Sequence, residues 1–269
     1  MMKDWKKYLA EMLGTKFLVL IGLGAIVLPV ALMGESNNVF GSFGMIFFPF
    51  AFGLALAAII YTIGPISGGH VNPAVSLGFA LRKKLSWKDF AFYVVAQVIG
   101  AIIGAAILFG LFKLMTGGGT FRFGDTYSDI GPRMINGLFA ALIINILLTY
   151  IFVLAWMGIV RKTENKTVAG IIIGLFLAAV LITTAVVNPA ISLSAAIFSG
   201  RLALEQVWLF IVAPLLGGAW AALTAWCLFK GENRPEVGTK EAPKIADVNP
   251  QASAEKSQVL NTKHQTSQK

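Results

Sequence analysis

Charge, cysteine and histidine are all scarce in this sequence, and each scarcity removes a class of protein. Only 13% of the 269 residues are charged, against about a quarter in a soluble domain of similar size. Most of the chain therefore cannot present an ordinary water-facing surface. The single cysteine, Cys227, excludes an intramolecular disulfide. Only two histidines occur, His70 and the distant His264, so no metal-ligating cluster is expected. The apolar runs hold no histidine-rich group, paired carboxylate or nucleophile–base set, so neither an enzyme nor a cofactor is expected.

Apolar sequence is abundant, at 57% of the chain, and it comes in long stretches. Met12–Met33, Met45–Ile63, Phe90–Phe112, Ile135–Met157, Val168–Val187 and Val207–Phe229 are nearly free of charge. Each approaches the roughly 20 residues that a helix needs to cross the hydrocarbon core. Six spans are expected. The first follows Lys3, Lys6 and Lys7, but its apolar run is too long for a signal peptide and no small-residue cleavage pattern follows it. It reads as a retained span.

In a soluble protein the net charge of +9 would point to a nucleic-acid partner, but the placement of the charges argues for a membrane instead. Lys3, Lys6, Lys7, Arg82, Lys83, Lys84, Lys88, Arg161, Lys162, Lys166 and Lys230 all fall on one side if the spans alternate. The other side receives a weaker mixture: Glu35, Arg122, Asp125, Asp129, Arg133, Arg201 and Glu205. This is the positive-inside pattern, and it places both termini in the cytoplasm of a multi-pass plasma-membrane protein. Gly34–Gly44 and Lys113–Pro132 read as outer loops, Gly158–Thr167 as an inner one. The chain divides into a membrane domain, 1–230, and a tail, 231–269. The tail mixes lysines and acids, has no aromatic residue, and is expected to be disordered because it cannot bury enough apolar surface.

Two apolar segments are too short to cross. Val71-Asn72-Pro73-Ala74-Val75-Ser76-Leu77 matches Val187-Asn188-Pro189-Ala190-Ile191-Ser192-Leu193, and Glu11-x-x-x-Thr15 is echoed by Asn145-x-x-x-Thr149. The unit of repetition is three spans plus one short element, over about 8–112 and 133–229. Three is odd, so the second copy enters the membrane from the opposite side, as an inverted repeat. The expected fold is an all-α membrane protein of six transmembrane helices and two re-entrant half-helices. At 1.5 Å per residue each half-helix covers about 16 Å, half the membrane, and their N-termini meet near the midplane.

Asn-Pro suits a helix start: asparagine caps, and proline lacks an N–H that would be unpaired there anyway. Irregular backbone at mid-depth is tolerated only inside protein or along a wet cavity. The stretches Gly64–His70 and Ile182–Val187 are therefore expected to line a pore with carbonyls, and Asn72 and Asn188 to supply amide donors where the half-helices meet. Two positive helix ends pointing at that centre disfavour cations. Small uncharged solutes are favoured. His70 reads as a loop-organising residue. Glu11, a costly carboxylate inside span one, is expected to accept hydrogen bonds from the backbone of a dipping loop. The other spans add no charged side chain, which argues against a proton-coupled or other secondary transporter. Gly100, Gly104, Gly217 and Gly218 are expected at close helix crossings.

Ser67-Gly68-Gly69-His70-Val71-Asn72-Pro73-Ala74-Val75-Ser76, the second Asn-Pro-Ala and Ala203-Leu204-Glu205-Gln206 resemble the aquaporin (major intrinsic protein) family, in particular a bacterial branch of it, over about residues 8–229. The resemblance implies a homotetramer with one pore per subunit, passing water and small uncharged solutes passively. It also implies an outer constriction made of four residues. Three map to Phe52, Ala185 and Ile191; the fourth is Leu181, or Phe176 if counted without a gap. Phe52 resembles the water-selective members, whereas glycerol facilitators carry tryptophan. Ile191 departs from the family's arginine, Leu181 or Phe176 from a common histidine, and Asn145 from a glutamate that would partner Glu11. A glycerol or small-solute facilitator is the alternative.

Overall fold

Apolar runs form helices in this chain because a helix satisfies its own backbone donors and acceptors where no water can do so. The computed structural model describes residues 4–33, 38–119, 135–163, 165–183 and 187–229, all within the unit Met1–Gly238. The first span is α1 (Trp5–Gly22) continued by α2 (Gly24–Met33), interrupted at Leu23. Then come α3 (Asn38–Ser67), the half-helix α4 (Pro73–Leu81), α5 (Trp87–Thr116) and α6 (Ile135–Lys162). The series closes with α7 (Lys166–Ile182), the half-helix α8 (Pro189–Ser199) and α9 (Arg201–Leu228). Among the described residues, five helical stretches are long and apolar enough to span, and α7, with 17 residues, is shorter.

The helices overrun the lengths that hydropathy suggests. The first begins at Trp5 rather than Met12, and α6 continues to Lys162. The expected loop Gly34–Gly44 is corrected, because α3 already starts at Asn38. Once a helix is nucleated, each further residue adds a hydrogen bond, which outweighs the roughly 1 kcal/mol helix penalty of a glycine. The irregular stretch Gly64–His70 is corrected as well: α3 runs through Pro65 to Ser67. The turn is instead made by Gly68 and Gly69, at φ 93° and 64°. Glycine takes these angles without a Cβ clash. At the far end of α5, Gly117 forms a left-handed cap at φ 63°, inside the expected loop. The remainder of that loop from residue 120, and the tail from 230, lie outside the described residues.

The inverted repeat is visible in the packing. An ideal Cβ on Gly53 would strike Gly174 O and approach Ala178 Cβ at 2.9 Å. One on Gly174 would strike Gly53 O and approach Ala57 Cβ at 2.8 Å. This reciprocity puts the pseudo-two-fold axis at the α3–α7 crossing. The α1–α5 and α6–α9 pairs are equivalent flanks: Gly100 sits on Met12 O and Gly217 on Ile146 O. The half-helices cross between repeats, α4 against α9 and α8 against α5.

Polarity is arranged inside out. Phe17, Ile21, Leu54, Leu175, Leu216 and Leu223 are exposed, whereas Glu11, Asn72, Gln97, Asn145 and Asn188 are buried. In water that surface would be an aggregation liability. In hydrocarbon it costs nothing, and the buried polar groups become the expensive part that needs an explanation.

Candidate functional site

Each half-helix is capped by its own asparagine. Ala74 N donates to Asn72 Oδ1 at 2.8 Å, and Ala190 N to Asn188 Oδ1 at 3.1 Å. Pro73 and Pro189 occupy the first helical position in each case. The amide nitrogens then cross the centre. Asn72 Nδ2 donates to Val187 O at 2.9 Å and Asn188 Nδ2 to Val71 O at 2.8 Å. These two bonds fix the caps against each other, so α4 and α8 start from one point and run apart. An asparagine nitrogen carries two hydrogens, and the cross-bond uses one of them.

The first dipping loop is held from behind by Glu11, which is fully buried. Its Oε1 accepts from Ser67 Oγ at 2.7 Å and His70 N at 2.9 Å. Its Oε2 accepts from Val71 N at 2.6 Å and Gln97 Nε2 at 2.8 Å. Gln97 also donates to Ser76 Oγ at 3.0 Å, and Tyr93 donates to Ser67 O at 2.6 Å. His70 lies within this network, its Nδ1 3.2 Å from Ser76 Oγ and its ring 4.7 Å from that of Phe79.

Val71 takes φ 42°, an outlier for a β-branched residue that costs about 1–3 kcal/mol. Its N–H is committed to Glu11 and its carbonyl to Asn188. Those bonds and complete burial hold it there. Two carbonyls that could have lined a pore are thereby spoken for, Ser67 O by Tyr93 and Val71 O by Asn188. Gly68, Gly69 and His70 supply the remaining carbonyls of the turn.

Of the four expected constriction residues, Phe52, Ile191 and Leu181 are buried in one apolar cluster, with Phe176 packed against it. Phe52 lies over Gly22, where a Cβ would collide with its ring, and stacks edge-on with Phe48 at 5.0 Å between centroids. Ala185 lies outside the described residues. Asn145 is buried, but its Nδ2 turns back along its own helix to Ala141 O at 2.9 Å. Gln97 and Tyr93 belong to the loop network without having been singled out in the sequence, and Ser67 and Ser76 stood there only as the ends of a motif. Gln97 left a legible signal, as the lone amide in the run Phe90–Phe112.

The profile of the family described as Major intrinsic protein matches residues 1–225. The chain is 37% identical over 225 residues to aquaporin Z of Rhodopseudomonas palustris, a match covering 79% of this chain and 88% of that one. It is 38% identical over 226 residues to aquaporin Z of Brucella melitensis, covering 81% and 95%. The fold is similar to the X-ray structure of the aquaglyceroporin from Plasmodium falciparum, with a TM-score of 0.67. That likeness covers 84% of this chain and 97% of the other at 21% identity.

Proposed function

The chain belongs to the major intrinsic protein family, and from that premise we propose that it is a passive water channel with one pore in each subunit of a homotetramer. Family membership makes it a multi-pass membrane channel, not an enzyme, for water or small neutral solutes. The observation that carries the narrower reading is the reciprocal pair of asparagine caps. Asn72 and Asn188 each spend one amide hydrogen on the opposite loop, leaving a second to orient a passing oxygen. Two helix N-termini at the same point make it unfavourable for a cation. Such a centre offers hydrogen bonds to water and an electrostatic barrier to ions.

Phe52 supports water through its likeness to the water-selective members of the family, and the two aquaporin Z relatives support the same reading. Ile191 and Leu181 favour a second one. With Phe52 and Ala185 they would make the outer constriction almost wholly apolar, with little to hold water in preference to a small polyol. Leakage of glycerol or a similar neutral solute follows from that lining. The basic residues concentrated on one side support cytoplasmic termini.

Stopped-flow shrinkage of proteoliposomes separates these readings. Osmotic water permeability well above empty liposomes is expected, with glycerol uptake measured alongside. Water flux no higher than the empty control would overturn the water reading, while glycerol entry comparable with water would establish the facilitator. Saturable flux that depends on an ion gradient would point to a secondary transporter instead.

A further inference from the structure

The two repeats share a helix plan but differ in their buried chemistry. Gly100 rests on Met12 O and Gly217 on Ile146 O, so Glu11 and Thr15 correspond to Asn145 and Thr149. The same register pairs Gln97 with Pro214 and Tyr93 with Phe210. Two donors of the first repeat, an amide and a phenol, thus face a proline and a phenylalanine in the second. Proline has no N–H, and neither side chain can donate.

The consequence is visible at α6. Asn145 and Thr149 are 2% and 0% exposed. Among the described residues, neither Asn145 Oδ1 nor Thr149 Oγ1 has a hydrogen-bond partner. The counterpart Thr15 donates its hydroxyl to Glu11 O at 2.7 Å, so the difference does not come from threonine itself. At a spacing of four, the two oxygens lie on one helix face. That face is turned to α9, because a Cβ on Gly217 would approach Thr149 Cβ at 2.9 Å.

Asn145 Oδ1 lacks a donor and the Thr149 hydroxyl lacks any partner, which is costly for buried polar groups, so the site calls for a ligand that donates to the amide oxygen and exchanges a hydrogen bond with the hydroxyl. A cation would pay the desolvation of a full charge for two neutral oxygens, and an apolar molecule would answer neither group. The close approach of the helices at Gly217 limits its size. We propose that a single buried water is held by Asn145 Oδ1 and Thr149 Oγ1 at the α6–α9 crossing, taking the place of the donor that Gln97 gives to Glu11 in the first repeat. A water bonded in this way is part of the structure and costly to remove. The site does not depend on which solute the channel passes.

Thermal unfolding of the detergent-solubilised full chain tests this through the sign of the effect. With a water present, Thr149→Val and Asn145→Leu each strand it, and each lowers the midpoint by about 2–6 °C. The double variant loses less than the sum, since its second substitution finds no water left to lose. Thr149→Ser keeps the hydroxyl and loses only a buried methyl, a fall of about 2–4 °C that adds to the loss from Asn145→Leu without coupling to it. A dry site gives Thr149→Val the opposite sign, because the apolar isostere then removes an unsatisfied hydroxyl, while Asn145→Leu also gives up the bond to Ala141 O and is read through the coupling. A raised or unchanged midpoint in Thr149→Val, or additive losses from Thr149→Val and Asn145→Leu, would overturn the proposal. If the apolar variants do not assemble, the unmodified protein decides. Its crystal structure should hold a solvent peak within about 3.2 Å of both oxygens, and no peak there where neighbouring waters are visible would overturn it equally.

Discussion

Glu11 accepts four hydrogen bonds at a depth where water cannot replace any of them. Glu11→Gln keeps the shape of the side chain but turns an N–H toward at least one donor. Losing charge-assisted bonds in this setting costs about 3 kcal/mol, so the unfolding midpoint should fall by roughly 10 °C. An unchanged midpoint in detergent would show that the carboxylate does not brace the loop. Asn72→Leu and Asn188→Leu each remove a cap bond and a cross-bond, about 2 kcal/mol together. Proteoliposome water flux should fall at least tenfold in both, because the centre loses its donor and its alignment. Either variant assembling and conducting normally would count against a pore through the paired caps. Glu11 itself was legible in the sequence as a carboxylate too expensive to bury idly. Its backbone donors were legible too, as a dipping loop, which proves to be His70 and Val71, whereas the side chains of Ser67 and Gln97 are brought to it only by the paths of α3 and α5.

At the scale of helices, glycine decides how closely the repeats approach. Gly53 and Gly174 leave no space for a methyl group, since each would meet the other's carbonyl oxygen. Gly174→Ala should therefore cost most of the folded protein, read as the monodisperse fraction after purification. Gly110 lies in α5 with nothing within 4 Å of its Cβ position. Gly110→Ala should be neutral or stabilising by up to about 1 kcal/mol, from helix propensity alone. Equal behaviour of the two variants would mean that the α3–α7 crossing does not limit packing. Sequence pointed to small residues at crossings through Gly100, Gly104, Gly217 and Gly218. It did not single out the Gly53–Gly174 contact, because that pair faces itself only across an axis that exists after folding. Helix ends were the least legible feature, since Pro65 and the glycines before Met45 suggested breaks that neighbouring hydrogen bonds override.

For the whole molecule, orientation follows from where the positive charges lie. With Cys227 replaced by serine, a cysteine introduced at Lys240 gives a single reporter in the tail. An impermeant maleimide should label it in inverted vesicles and spare it in intact cells. Labelling of intact cells would reverse the proposed orientation. The inverted repeat predicts no symmetry of chemistry, and the structure bears little. Its first half is cross-linked by Glu11, Gln97, Tyr93 and Ser76, whereas the matching positions in the second half hold Asn145, Pro214, Phe210 and Ser192.

The sequence by itself determined the number of repeats, the membrane solvent, the two capped half-helices and the family. All of these depend on local spacing and on burial costs that no partner can remove. Tertiary structure decided which polar groups meet. The Asn72–Val187 and Asn188–Val71 bonds join residues far apart in the chain, and the left-handed backbone of Val71 exists only because Glu11 and Asn188 hold it from two sides. Those distances are set by how α1, α3, α5 and their counterparts cross, a property of packed volumes rather than of any one segment.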